Sequence, residues 1–281
     1  MMKYISHEEL ISPLESALIE MNIKSPEKLQ NCMMGALTQE KSDPAREMFS
    51  EILENYVIAQ EECLPLCQDT GMVMAEVSIG IEVVLTGGTF QEALNEAIRR
   101  AYQKSYFRKS ILSDPLIGKN TGDNTPGIVF IQQTSGNEFR VNLLIKGGGC
   151  DNISALKMMT PGIASDEIKK FVLQELDKNA SRACPPLIVG IGIGGNAAYA
   201  MYLASRALGR PLGTPNRCKE YHQWEEQWKN EINQLGIGPQ GVGGKMTCLE
   251  VRIESHPSHI ASLPVGMVCS CHVFRQKMLS W

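Results

Sequence analysis

Nine cysteines, at positions 32, 63, 67, 150, 184, 218, 248, 269 and 271, are the first residues whose chemistry needs an explanation. The count is odd, the 281-residue chain is long enough to fold without staples, and no apolar leader opens it. A disulfide framework is therefore not expected. No two cysteines stand in C-x-x-C spacing, which sets aside zinc ribbons, ferredoxin-type clusters and thioredoxin-like sites. What remains is a mixture of buried core thiols and a few metal ligands far apart in sequence. Cys67 sits in Cys67-Gln68-Asp69-Thr70-Gly71, where a thiol, an amide and a carboxylate share one loop. Loops on a rigid scaffold are where chemistry is commonly mounted. Asp69 equally suits plain turn chemistry ahead of Gly71.

Two glycine-rich turns could bring backbone close to an anion. Lys146-Gly147-Gly148-Gly149-Cys150 would offer a run of N–H groups to a carboxylate or phosphate, or serve as a flexible turn. It is no phosphate-binding P-loop, because no G-K-[ST] follows. Gly190-Ile191-Gly192-Ile193-Gly194-Gly195 matches G-x-G-x-x-G between an expected strand and an expected helix. A dinucleotide site also needs an acidic residue about 20 positions later, and no Asp or Glu occurs from Asn196 to Lys219. Close backbone packing, or approach to an anionic ligand at a helix start, is the better expectation. His256, His259 and His272 are proton carriers by type, though structural histidines are common.

The elements that must hold these residues follow from periodicity. The first sixty residues read as helical, with Asp43-Pro44 opening one helix. A strand is expected over 72–80, and Thr89 with Glu92 forms a capping box for a helix to about Tyr106. Strands over 127–133 and 138–146 are joined by the turn residues Ser135-Gly136-Asn137 and read as a hairpin. Helices are expected over 165–179, 197–208 and 219–235, the last with Trp224 and Trp228 four apart for packing. Strands are expected over 187–193, 247–254 and 264–273. The pattern predicts an α/β or α+β fold, a mixed β-sheet flanked by helices, with a helical N-terminal segment. We expect a single catalytic domain over 1–281, with 1–60 helical and 61–281 as the core around the site.

A net charge of −4, with both signs interspersed, leaves no footprint for nucleic acid. The longest apolar run, around 185–194, is too short to cross a bilayer. With no signal peptide in 1–10, a soluble cytoplasmic protein is expected.

Taken in order, C-Q-D-T-G (67–71), N-T-x-D-N (120–124), K-G-G-G (146–149), C-P-P (184–186), G-I-G-G (192–195), L-G-I-G-P-x-G-x-G-G (235–244) and H-I-A-S-L-P-V (259–265) form a series. From about Asp43 to Arg275 it resembles the α subunit, the N-terminal catalytic region, of class I iron–sulfur fumarate hydratases and their L-tartrate dehydratase relatives. The resemblance implies a hydro-lyase that reversibly adds water to fumarate, giving L-malate. Tartrate dehydratase or mesaconate hydratase is the alternative, and an iron–sulfur scaffold without turnover the non-enzymatic one. It implies a [4Fe–4S] cluster held by Cys67, Cys184 and Cys271, with Cys269 as competitor for the third place. An iron with a vacant position is a Lewis acid able to bind a diacid's carboxylate and hydroxyl.

By the same likeness Gln68 and Asp69 would hydrogen-bond substrate and Arg108 would pair a carboxylate through its planar fork. Gly148 amide would take another oxygen, and His259 would donate or relay a proton. The remaining cations and the base belong to a β-type region in that family, so an αβ or α2β2 assembly with a β subunit is expected. Cys150 and Ile153 replace the Ser and Lys usual in the family's fumarases. The stretch 118–122 and G-G-G-C lean toward tartrate dehydratase, whereas 154–158 and 259–264 lean toward fumarase.

Overall fold

The computed structural model describes residues 1–281. In chain order the elements begin with β1 (Lys3–Ser6), α1 (His7–Ile23), α2 (Glu27–Gln39), α3 (Asp43–Glu61), β2 (Met72–Gly80) and β3 (Val83–Thr86). There follow α4 (Phe90–Lys104), β4 (Ile128–Thr134), β5 (Phe139–Lys146), the short α5 (Gly148–Asp151) and β6 (Ala155–Met159). The rest is α6 (Ser165–Asn179), β7 (Leu187–Gly194), α7 (Ala197–Leu208), α8 (Lys219–Asn233), β8 (Cys248–His256), β9 (Leu263–Ser270) and β10 (Arg275–Ser280). The fold is mixed α/β with mixed sheets flanked by helices and a helical N-terminal segment, as the periodicity predicts. No helix is long and apolar enough to cross a membrane. The chain divides into two compact units: 1–25, 56–148 and 275–281 form the first, and 26–55 with 149–274 the second.

The first unit is built on a four-stranded sheet of order β10-β5-β2-β4. One face of that sheet carries Val73, Ala75, Val77, Phe139, Val141, Leu143 and Ile145, all buried against α1 and α4. Both helices start on capping boxes, Ser6 with Glu9 and Thr89 with Glu92, which satisfy N–H groups that the helix leaves without partners. Each presents an apolar stripe, Leu10, Leu14 and Leu18 on α1 and Leu94, Ile98 and Ala101 on α4. Burying such a leucine or isoleucine contributes about 1.5–3 kcal/mol.

The expected hairpin of β4 and β5 does not form. β2 lies between them, parallel to β4 and antiparallel to β5. The turn around Gly136 instead straddles the end of β2: Gly80 N–H donates to Glu138 O, Ile81 N–H to Thr134 O and Glu82 N–H to Gly136 O, at 2.8–3.0 Å. Turn residues in the sequence announce a reversal, but not which strand fills the space beneath it. Gly80 makes this possible, because a Cβ there would lie 2.2 Å from Gly136 O.

In the second unit the sheet order is β6-β9-β7-β8. β7 is buried along its whole length. Its odd residues, Val189, Ile191 and Ile193, join Phe171 of α6 and Trp228 of α8 in one core. Its even residues, Gly190 and Gly192, meet α7, where an added Cβ would fall 2.2 Å from Ala204 O and 2.0 Å from Ala200 O. The glycines of the G-x-G-x-x-G pattern thus let a helix backbone lie directly on a strand. Trp224 stacks on Trp228 at 6.0 Å, a packing pair. Gly192→Ala is expected to destabilise the chain by more than about 3 kcal/mol, because backbone must move to admit the methyl. A denaturant titration reads this as a lower midpoint, and a change under about 1 kcal/mol would show that α7 can retreat cheaply.

Candidate active site

In the first unit the 67–71 loop connects α3 to β2, and its backbone has no ladder to join. Three consecutive carbonyls are each taken by a different buried side chain. Arg275 Nη1 donates to Asp69 O (3.1 Å), Tyr102 Oη to Thr70 O (2.6 Å) and Asn124 Nδ2 to Gly71 O (3.0 Å). These donors are 3%, 0% and 1% exposed. Arg275 is itself braced by Asn22 Oδ1 at 2.9 Å, and Leu66 N–H donates to Asn22 O at 2.7 Å. The carboxylate of Asp69 closes the turn. Its Oδ1 accepts from Gly71 N–H (2.9 Å) and its Oδ2 from Gly148 N–H (2.8 Å). Hence the turn chemistry expected of Asp69 is present, and the Gly148 amide is already engaged by it.

On this frame Cys67 is partly exposed and Gln68 exposed. Arg108 is exposed, while its carbonyl accepts from Thr70 Oγ1 at 2.6 Å. Asp69, Arg108 and Gly148 are therefore tied to this loop by hydrogen bonds inside the first unit, and Cys67 and Gln68 stand on the same loop.

In the second unit Cys184 is exposed and lies in the left-handed region at φ +52°, after a single 3-10 turn (Ala180–Ala183). A non-glycine residue there is uncommon, and such strain concentrates at functional positions. The glycine-rich 235–244 segment supports the turn, with Gln240 N–H donating to Pro185 O at 2.8 Å. His272 N–H reaches Cys184 O at 3.5 Å, which sets the Cys271 segment beside Cys184. Cys271 is partly exposed past the end of β9, whereas Cys269 is fully buried in the core.

The other cysteines take different places. Cys150 is buried and donates to Ala183 O (3.3 Å), and burial pushes the Cys248 thiol far up. Desolvation holds the His272 imidazole down at about 4, so it is neutral at pH 7. His259 lies exposed between β8 and β9, and its Nδ1 accepts from Ala261 N–H at 3.1 Å. A neutral His259 so bonded keeps its proton on Nε2.

No three His, Cys, Asp or Glu side chains form a closed metal cage. Thiolates are the ligands that iron–sulfur groups take, and each unit by itself presents accessible thiols: Cys184 and Cys271 on adjacent segments of the second, and Cys67 on the braced loop of the first. Sequence reasoning missed Asn22, Tyr102 and Asn124 as supports. Tyr102 reads simply as one more apolar position on α4, and only the N-T-x-D-N motif signalled Asn124.

Burial pushes the Tyr102 phenol up to about 12. Its ordinary value is near 10, so the folded state favours the neutral form. The stabilisation is complete below pH 10 and is lost as pH rises from 10 through 12. Tyr102→Phe should cost about 1–3 kcal/mol at neutral pH, by leaving Thr70 O without its donor. It should also flatten the alkaline fall in stability. Denaturant midpoints at pH 8 and pH 11 test both, and an equally steep fall in the variant would contradict the assignment.

Comparison with known proteins gives the family. A model of the fumarate hydratase (Fumerase) family matches residues 11–280. The chain is 36% identical over 263 residues to the putative L(+)-tartrate dehydratase subunit alpha of Methanocaldococcus jannaschii, covering 92% of each protein. It is 30% identical over 243 residues to the L(+)-tartrate dehydratase subunit alpha of Escherichia coli strain UTI89, covering 85% of this chain and 80% of that one. The K12 strain's L(+)-tartrate dehydratase subunit alpha is 29% identical over the same length. With all but eleven of its 281 residues matched and its α-subunit relatives alike over most of their length, the chain is a hydro-lyase and belongs to the fumarate hydratase family.

Proposed function

We propose that this chain is the α subunit of a cytoplasmic [4Fe–4S] hydro-lyase that interconverts fumarate and L-malate. The observation that carries the proposal is the pairing of two accessible cysteine segments, Cys184 and Cys271, by the His272 N–H to Cys184 O bond. Cys150, Cys248 and Cys269 are buried by contrast. Cys67, Cys184 and Cys271 would hold the cluster as thiolates, soft ligands of the kind iron–sulfur groups take. When bound, the cluster supplies an iron with an open position, a Lewis acid for the substrate hydroxyl.

The chain's own residues then bind and orient the diacid. Arg108 offers a planar, permanently charged fork to one carboxylate. Gln68 donates an amide N–H beside it. A substrate oxygen that takes the Gly148 amide must displace Asp69 Oδ2, which frees that carboxylate to face the substrate's hydroxyl. His259, with its proton on Nε2, can donate a hydrogen bond from that nitrogen to a substrate oxygen. Loss of a proton next to a carboxylate builds negative charge, which calls for further cations and a base. A β subunit would supply them, in an αβ or α2β2 assembly, and the subunit-alpha names of the relatives support this.

A second substrate, L(+)-tartrate, is favoured by those same names. Anaerobic preparations assembled with the β chain separate the two when assayed with fumarate, L-malate, mesaconate and both tartrates. Turnover of tartrate alone would move the substrate assignment, and turnover of none would leave a scaffold. Cys67→Ser, Cys184→Ser and Cys271→Ser should each lower turnover more than about 100-fold, beyond the loss typical of outer-shell changes. Each should also deplete iron and sulfide, while Cys269→Ser keeps both. Full iron content in any of the first three would contradict the ligand set.

A further inference from the structure

The N-T-x-D-N segment at 120–124 does more than supply the donor to Gly71 O. Between the end of α4 at Lys104 and the start of β4 at Ile128 the chain has no helix or strand, only an isolated bridge between Leu112 and Asn120. Arg108 stands in that stretch, so no regular element fixes its backbone. Specific bonds do so instead, almost residue by residue. Arg108 O accepts from Thr70 Oγ1 (2.6 Å) and Lys109 O from Asn120 Nδ2 (2.9 Å). Ser110 N–H donates to Asn124 Oδ1 (2.7 Å), and Thr121 N–H donates to Ile111 O (2.9 Å).

Asn124 has a second bond, from Nδ2 to Gly71 O at 3.0 Å. Its one carboxamide thus ties the arginine segment to the cysteine loop. The residue is 1% exposed and adopts φ +64°, a region that asparagine enters more readily than most side chains. Both halves of the amide are used, so aspartate, with no donor, could not replace it.

We infer that Asn124 is a positioning residue: it fixes the distance between Arg108 and the Gln68-Asp69 pair, so that one diacid spans both. This rests on Arg108 being the carboxylate-binding arm proposed above. The expected consequence is a defect in substrate binding, because Arg108 would grip ground state and transition state alike. Misplacing a gripping group by about 1 Å can cost about 100-fold.

Asn124→Gly keeps the backbone angle accessible and deletes both bonds. Thr70→Val, nearly isosteric, deletes only the link to Arg108 O. In the assembled, cluster-loaded enzyme each should raise KM for the diacid about tenfold or more, with kcat within about threefold and iron content unchanged. Added to Arg108→Met, Thr70→Val should do no further harm, since the group that it positions is already gone. An additive loss in that double variant, or an unaltered KM in the single ones, would overturn the inference.

A readout independent of catalysis is amide exchange at Ser110. It should speed up at least about tenfold in Asn124→Gly, and an unchanged rate would also overturn the inference. If Asn124→Gly does not fold, the Thr70→Val cycle decides alone. If wild-type enzyme turns over no diacid, the proposed function fails, whereas the exchange rate still judges the positioning.

Discussion

Buried carbonyl oxygens must find donors, and the 69–71 turn presents three in succession where no neighbouring strand can supply them. Arg275, Tyr102 and Asn124 meet that demand from β10, from α4 and from the loop before β4. Much of the first unit can be understood as the support for these three donors. α1 and α4 pack on the sheet so that Tyr102 reaches inward, and β10 pairs with β5 so that Arg275 starts its strand beneath the loop. Removing any one donor would strand an acceptor in a dry interior, at a cost of about 1–3 kcal/mol. That cost makes the conformation of the loop a property of the fold, present before any ligand arrives.

The second unit solves a different problem by a related route. Cys184 stands in a strained conformation that only its surroundings can impose. Two buried prolines follow it, the 235–244 segment donates to Pro185 O, and β7 leaves from there as the most buried strand of its sheet. Gly190 and Gly192 bring α7 down onto that strand. The result is a stiff platform carrying an exposed thiol at its end, with the Cys271 segment alongside. Rigid support suits residues that must hold a reactive group in fixed geometry.

Legibility in the sequence followed the range of the physics involved. Local signals were read correctly: the Thr89–Glu92 capping box does open α4, Ala197 does begin α7, and 72–80 is β2. Glycine packing on β7 was anticipated from the missing acid after Gly195, because a dinucleotide site needs that acid and close packing does not. The β4–β5 hairpin was misread because strand order depends on which segment fills a gap, a non-local matter. β1, β3 and β6, each of four or five residues, escaped notice as runs too short to show a period.

Among the candidate site residues, chemistry-bearing types with a motif around them stood out in the sequence: Cys67, Gln68, Asp69 and Cys184. The braces did not, since Tyr102 hides in a helical stripe and Asn22 in the last turn of α1. The bonds by which they brace the loop join partners 32 and 253 residues apart. Asn124 was visible as part of a motif, yet its task depends on two carbonyl and amide groups that no spacing rule connects to it.

A preformed loop makes its most direct claim on the metal-free chain. Native-state amide exchange at Gly71 and Gly148, whose N–H groups both bond to Asp69, measures it under oxygen-free conditions. Exchange slowed at least about a hundredfold relative to an unstructured peptide, and unchanged when iron and sulfide are restored, is the predicted result. Amides that exchange at unstructured rates until the cluster is loaded would mean that the metal, not the buried donors, shapes the loop.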